Sequence, residues 1–580
     1  MISLRNTFMT VYKGRLYPNY WDIIALFFAL AGIILLAANA KQMSAPYELG
    51  QALPISLDPR YLPGYAGRTI LRMLIALFCS LLFTLVFATW AAKSRRAARI
   101  IIPVIDILQS VPILGFLSIT IVGFIRLFPG SMLGPECASI FAVFASQAWN
   151  MALGFYQTVR SVPSELKEAA DMFHLSAWQR FWRIDVPFSM PGLLWNMMMS
   201  MSAGWFFVVA SEAISVDSQQ ILLPGIGSYI TVAIRAADVH AIWYAIFAML
   251  AVILLYDQLF FRPLIAWADK FKSEQVAQES EANSWLVNML HRTRLLRYIG
   301  QHVAIFFDAC VNVSLLRSRP KTHRTIDRKM RYERVIAWVY NIVLISAVLG
   351  AVVYIANFTF HKVPFSEILK VFGLGLITAL RVFCLIIICT LIWVPIGVWI
   401  GLRSRVAEFV QPVAQILAAF PAYLLYPLVV FFIVKFHLNV NIWVTPLMIL
   451  GAQWYVLFNV IAGASVLPKD LLQVADNFGV NYWLRWRTLI LPGIFPYYIT
   501  GAITAVGGAW NASIVAEVVS WGDTKLVATG LGAYITENTD SGNFLHIALG
   551  IGMMCILVLV FNRLIWRPLY VLAETRYTLN

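Results

Sequence analysis

The chain has 580 residues, of which 60% are hydrophobic and only 13% charged, and it carries a formal net charge of +15. A soluble protein of this length needs far more polar surface, so the composition excludes a soluble globular protein and makes a lipid bilayer the solvent. The six cysteines stand singly, without a C-x-x-C pair, and the eight histidines form no metal-ligand spacing, so neither a disulfide framework nor a metal site is expected.

In chain order, the first 22 residues carry three bases ahead of an apolar run, Ile23–Ala40, and lack a small-residue cleavage site. This pattern predicts a retained first helix with a cytoplasmic N-terminus. The segment Lys41–Gly67 then either receives a soluble partner on the outer side or caps a pathway. Further runs of the length that spans a bilayer core are Ile70–Ala92, Ala138–Val159 and Trp243–Phe261. Val335–Ala356, Val371–Ile400 and Leu545–Leu564 follow in the second half. Dividing the remainder at glycines, prolines and charges gives twelve spans. With alternating crossings, most Lys and Arg fall on one side, including Lys93–Arg99 and Arg403–Arg405. The positive-inside rule makes that side cytoplasmic, as it does the C-terminus. Anionic lipid headgroups suffice as partner for the net charge, and no nucleic acid is needed.

The sequence is written twice. A shift of 309 places Thr69 on Thr378, Arg72 on Arg381 and Pro112 on Pro421. From Trp149 onward a shift of 305 pairs Pro163 with Pro468, Trp178 with Trp483, Trp205 with Trp510 and Glu212 with Glu517. Gly225 and Gly227 likewise meet Gly530 and Gly532. A four-residue deletion between Pro421 and Trp454 explains the change of shift. The fold class is therefore all-α and polytopic, with two parallel six-helix repeats over residues 1–267 and 330–580. The basic connection 268–329 contains an apolar patch, Val303–Leu316, too short to span, which is expected to form an amphipathic helix on the inner membrane surface.

Two water-compatible segments interrupt the lipid-like text, Val162–Gly192 and Leu467–Pro496. Pro163 and Pro468 break the preceding helices. Short helices are expected at Glu165–Met172 and Lys469–Asn477, each followed by a turn, an amphipathic piece rich in Trp and Arg, and a proline that starts the fifth span. Such short helices are marginal alone and gain stability from a partner. Arg72 and Arg381 sit near one end of the second span, where snorkelling or a structural pairing is favoured over attraction of an anion. Glu212 and Glu517, near the far end of the fifth span, are expected in a structural hydrogen bond or ion pair, with gating or pathway lining as the alternative. Trp205, Trp510 and Asn511 also stand as candidate pathway residues, with helix packing favoured over a substrate cage for the two tryptophans and an asymmetric contact read for Asn511, which is matched by Phe206.

The loop text resembles a known signature: E-A-A, three residues, Gly, nine residues, then I-x-L-P, found in permease subunits of binding-protein-dependent ABC importers. Here it reads Glu168-Ala169-Ala170, His174, Ile184 and Val186-Pro187, then Gln473-Val474-Ala475, Gly479, Leu489 and Leu491-Pro492. The first copy lacks the glycine and the second lacks Glu and the first Ala. A left-handed turn favours Gly, so His174 is expected to take another geometry and its loop to dock differently. The stretches AGWFFVVASEAISV and GAWNASIVAEVVSWGD are similar to the nitrate, sulfonate and taurine group of these permeases.

The resemblance implies a fused double permease subunit in the bacterial inner membrane, carrying a small anion such as a sulfonate, nitrate or bicarbonate by alternating access. It implies coupling to two separate ABC ATPase subunits through Glu165, Glu168, Ala169, Ala170 and His174, and through Asp470, Gln473, Ala475, Asp476 and Gly479. A periplasmic or lipid-anchored substrate-binding protein is the third implied partner. No G-x-x-x-x-G-K-[ST] occurs, so the chain is not expected to be an enzyme; ATP and magnesium belong to the partner, with no cofactor here. The competing readings are an ion-gradient-driven carrier with two six-span repeats and a non-transporting membrane scaffold. The carrier does not explain a helix-bearing polar loop in both halves, and the scaffold, which would use the two loops to bind a cytoplasmic partner, loses ground because nothing in the chain resembles a signalling domain.

Overall fold

The computed structural model describes residues 20–47, 54–216, 219–268, 293–312, 362–522 and 524–576, with positions 346 and 350. Among them nine helices are long and apolar enough to cross a membrane, and eleven crossings result if each of two sharply bent helix pairs counts as one. The expected span Val335–Ala356 lies almost wholly outside the described residues, as does the stretch before Tyr20.

The first copy begins with α1 (Tyr20–Met43) and α2 (Pro59–Lys93). The bent pair α3 (Arg95–Ser110) and α4 (Ile113–Leu127) precedes α5 (Leu133–Arg160) and the short loop helix α6 (Ser164–Met172). The long α7 (Ala177–Glu212) follows. Strands β1 (Ala213–Val216) and β2 (Gln219–Leu222) form an antiparallel hairpin, then α8 (Ile226–Arg235) leads to α9 (Val239–Ala268). The connecting segment contributes α10 (Arg294–Val311). The second copy repeats the order as α11 (Phe365–Gly401), α12 (Ser404–Ala419), α13 (Tyr426–Lys435), α14 (Val440–Ser465) and α15 (Lys469–Asn477). It closes with α16 (Tyr482–Ala516), hairpin β3 (Val518–Trp521) and β4 (Thr524–Val527), α17 (Leu531–Asp540) and α18 (Phe544–Ala573).

Local chemistry sets these boundaries. Ser94, Asp238, Asn439 and Asn543 cap α3, α9, α14 and α18 with side-chain oxygens that accept backbone N–H groups otherwise left unpaired. The third span of each copy is not straight: α3 and α4 meet at 94°, and Arg405–Ala419 meets Ala422–Lys435 at 78°. Val111 and Phe420 are extended because each precedes a proline, Pro112 or Pro421, which disfavours helix at the residue before it.

The fifth spans also differ from expectation. Neither Pro187 nor Pro492 starts its helix. The amphipathic piece and the span run as one helix of 36 residues in the first copy and 35 in the second. A π turn, Phe181–Asp185 or Trp486–Ile490, lies just ahead of each proline and absorbs its missing N–H without breaking the rod.

Each copy has its own buried core. Trp205, Met201, Phe155 and Tyr229 belong to the first, and Trp510, Val506, Val456 and Tyr534 to the second. The bent third spans cross between copies: α4 packs on α16 and α18, and α12 on α7 and α9. Asn511 takes part in this exchange, its Oδ1 accepting the Ile113 backbone N–H at 2.8 Å. That N–H opens α4 just after Pro112, where no helical partner exists. The second hairpin reaches across as well, with the Gly522 N–H donating to the Ile234 carbonyl at 3.0 Å.

Candidate functional site

Three features stand out among the described residues: a buried ion cluster in each copy, a cavity between the copies and a polar loop in each copy. The clusters lie where the fifth spans end, at the opposite end from the loops. In the first copy Thr69 and Arg72, one turn apart on α2, face Glu212 at the end of α7. Arg72 Nη1 donates to Glu212 Oε1 at 2.6 Å, and Thr69 Oγ1 to the same oxygen at 2.7 Å. The other carboxylate oxygen accepts the Gly227 N–H at 2.6 Å. Glu136, from α5, takes Nε and Nη2 of Arg72 on its two oxygens at 2.6 and 2.8 Å, and Nη2 also reaches the Pro224 carbonyl at 3.0 Å. The Arg72, Glu136 and Glu212 side chains are fully buried.

The second copy rebuilds this geometry. Arg381 Nη1 and Thr378 Oγ1 both donate to Glu517 Oε1 at 2.8 Å, and the Ala533 N–H donates to Oε2 at 3.0 Å. In place of Glu136 stands Asn441, whose Oδ1 accepts Arg381 Nη2 at 3.0 Å and the Thr529 N–H at 2.8 Å. Gly225 and Gly530 explain the repeated glycine of the following stretch: a Cβ on either would strike the Glu212 or Glu517 carboxylate. Both arginines are thus held by acidic or amide oxygens and pin the hairpin and the next helix to α2 or α11. Ion pairing, rather than snorkelling, fixes Arg72 and Arg381. Glu136 escaped the sequence reading because it lies where the shift between copies changes and its counterpart is an amide.

Trp205 and Trp510 are each 2% exposed and sit in the two cores, with the Trp205 ring edge-on to Tyr256 at 5.4 Å. They are packing residues. A cavity of about 410 Å³ opens instead between α7 of the first copy and α14 and α16 of the second. Trp195, Met199, Phe458, Asn459, Tyr497 and Thr500 line it, with no charged side chain in its wall. Trp195 and Thr500 are partners under the 305-residue shift, so the cavity lies where corresponding faces of the copies meet. No motif announced it: its wall comes from three helices and differs in residue type on its two sides. Among the described residues no group of three His, Cys, Asp or Glu side chains is placed to hold a metal ion.

The two loops have matched backbones. After α6 and α15 the chain turns left-handed at His174 (φ 49°) and Gly479 (φ 61°). His174 therefore adopts the glycine geometry that the sequence reading denied it. The reason is a shared C-terminal cap. His174 and Leu175 donate to Asp171 and Ala170 carbonyls, as Gly479 and Val480 donate to those of Asp476 and Ala475, all at 3.0 Å. Salt bridges tie the same corners, Arg180 to Asp171 and Arg485 to Asp476. Glu165, Glu168, Asp470, Gln473, Asp476 and Gly479 are exposed, Ala169 and Ala475 half-buried, and Ala170 buried. Large apolar side chains stand free beside them: Met172 is 80% exposed, Phe173 60% and Phe478 82%.

Comparison with known proteins fits this architecture. Residues 80–261 and 393–566, together more than half of the chain, match the model of the binding-protein-dependent transport system inner membrane component. The chain is 27% identical over 150 residues to the bicarbonate transport system permease protein CmpB of Synechococcus elongatus, covering 26% of this chain and 51% of that protein. It is 25% identical over 174 residues to the nitrate import permease protein NrtB of Leptolyngbya laminosa (30% and 58%). With the glycine betaine/proline betaine transport system permease protein ProW of Salmonella typhimurium it shares 31% over 200 residues (34% and 54%). The chain spans about half the length of these curated relatives. With the family region present twice, in two halves that share one helical plan, this chain belongs to the family of binding-protein-dependent transport system inner membrane components, as a fused double permease.

Proposed function

We propose that this chain supplies both halves of the membrane pathway of an ATP-driven importer, each half coupled through its polar loop to one of two separate ATPase subunits. ATP and magnesium sit on those partners, and a substrate-binding protein delivers the solute at the far side, where the hairpins lie. The loops and both termini are cytoplasmic. The observation that carries the reading is the pair of short helices α6 and α15, each ending in a left-handed cap flanked by an exposed Phe173 or Phe478. Exposed aromatic side chains beside a marginal helix in a polar loop are suited to bury themselves in a protein groove.

The solute is a small anion, as for the bicarbonate and nitrate permeases among the relatives. The cavity favours an ion of delocalised charge and low hydration cost, a sulfonate or nitrate, over bicarbonate. Its wall of aromatic rings, an amide and a hydroxyl offers no countercharge against the cost of desolvation.

The test is affinity purification from native membranes with identification of the retained proteins, alongside a Phe173→Asp/Phe478→Asp variant. The wild type is expected to retain a P-loop ATPase that the variant loses, and vesicle uptake is expected to require ATP. Uptake driven by an ion gradient without ATP would overturn the reading. Ala170 is a poor site for such a variant, because it is buried at 1% exposure and its loss would disturb the loop itself.

A further inference from the structure

The two loops share a backbone but not their surroundings. In the first, α10 from the connecting segment lies on the start of α7. Trp178 Nε1 donates to the Cys310 carbonyl at 3.2 Å, and Gln179 Nε2 to Asn312 Oδ1 at 3.0 Å. Arg183 Nη2 reaches the same Asn312 oxygen at 3.2 Å, and the Trp182 ring meets Phe307 edge-on at 5.2 Å. Gln179 is buried and closes a capping box with Ser176. Among the described residues nothing covers the corresponding positions of the second loop: Trp483 is 74% exposed, Leu484 49%, and Arg487 and Thr488 are exposed too.

The helix itself is only half used by this contact. Phe307 meets the loop through the Trp182 ring, whereas Val303, Ile305 and Phe306 stand 59%, 60% and 71% exposed. α10 also packs against the membrane-crossing α1. It therefore sits at the border of the hydrocarbon, with a bare apolar side next to a lipid-facing helix. Residues 291–329 around it hold nine Lys or Arg against two Asp. An apolar helix side inside a strongly basic segment matches an anionic bilayer surface, which attracts the bases while the apolar side chains enter the headgroup boundary.

We propose that α10 is an interfacial helix bound to anionic lipid through Val303 and Phe306, and that it braces the first loop against the membrane while the second loop moves freely. The brace follows from contacts within this chain, and only the meaning of the loops rests on the proposed function. Loss of ATPase capture would defeat that function and leave the brace untouched.

The test is hydrogen exchange of the full chain in nanodiscs of phosphatidylcholine, with and without phosphatidylglycerol, in the absence of any partner. Phosphatidylglycerol is expected to slow exchange about tenfold in both 303–311 and 177–183, with 482–488 unchanged. Val303→Glu/Phe306→Glu is expected to abolish the slowing in both segments while the thermal midpoint of the membrane-spanning part stays as in the wild type. Equal exchange with and without the anionic lipid would overturn the lipid assignment. Slowing confined to 303–311, or equal slowing at 482–488, would overturn the brace. If the double variant unfolds, Phe307→Ala, which removes the ring contact with Trp182 and leaves Val303 and Phe306 in place, uncouples the segments: 303–311 keeps its lipid dependence and 177–183 loses it.

Discussion

The two repeats bury the same threonine, arginine and glutamate at the end of the fifth span, yet they satisfy the arginine differently. Arg72 sits between two carboxylates, Glu136 and Glu212, both fully buried. Arg381 has one carboxylate, Glu517, and the amide of Asn441, and its side chain keeps 9% exposure. The first cluster adds a second carboxylate, Glu136, and with it a second buried arginine: Arg68, one turn before Arg72, which feels the charge of Glu136 and Glu212 and is matched by Ile377 in the second copy. The second lacks both, and its amide oxygen is free to take a backbone N–H from Thr529 as well. One scaffold thus tolerates two sets of partners, because in each case every carboxylate oxygen has a donor and the arginine links elements that must not separate.

The largest expected effect separates the repeats. Arg72→Ala strands two buried carboxylates and is expected to cost about 3–5 kcal/mol, seen as loss of a monodisperse peak in detergent or a steep fall in thermal midpoint. Arg381→Ala strands one and is expected to fall at the lower end of that range; equal losses would break the comparison. Glu136→Gln gives Arg72 the carboxylate and amide partners of Arg381 and removes a charge-assisted bond, at an expected cost of about 1.5–3 kcal/mol. A loss as large as that of Arg72→Ala would show that Glu136 is indispensable to the arginine rather than a second support.

The glycines sharpen the comparison from the other side. Gly225→Ala and Gly530→Ala push a methyl group into Glu212 and Glu517 in the same way, so equal losses of about 1–3 kcal/mol are expected. The smallest effect concerns the loops. His174→Gly relieves a left-handed side chain and is expected to stabilise its loop by about 1 kcal/mol, whereas Gly479→Ala imposes that strain and costs a similar amount. Proteolysis or amide exchange of the two loops reads both, and a destabilised His174→Gly would mean that the imidazole supplies a contact worth more than the strain.

Much of the fold was legible. Pro163 and Pro468 marked the loops, and α15 begins and ends where proline, alanine and the cap residues place it. Thr69, Arg72 and Glu212 were visible because both copies carry them, and the cost of a lone charge near lipid pointed to a partner for Arg72 and Glu212 without saying which. The partner Glu136 was not, since a Glu matched by Asn at a changing shift carries no repeated identity. His174 was not legible because the cap's backbone hydrogen bonds, three and five residues back along the chain, hold it left-handed with or without a glycine and do not depend on side-chain preference. The proline at the fifth span misled for a related reason: a single π turn restores the hydrogen-bond ladder, and no residue type marks a π turn in advance.

The sequence by itself determined the solvent, the duplication and the places where the chain must leave lipid, because hydropathy, repeated identities and prolines act over a few neighbouring residues. Only the tertiary structure decided which acid closes each arginine, that the cavity between the copies is walled by uncharged side chains, and that α10 lies on one loop and leaves the other bare. These depend on packing between segments up to several hundred residues apart, where burial and hydrogen-bond satisfaction select among partners that the linear order leaves equivalent.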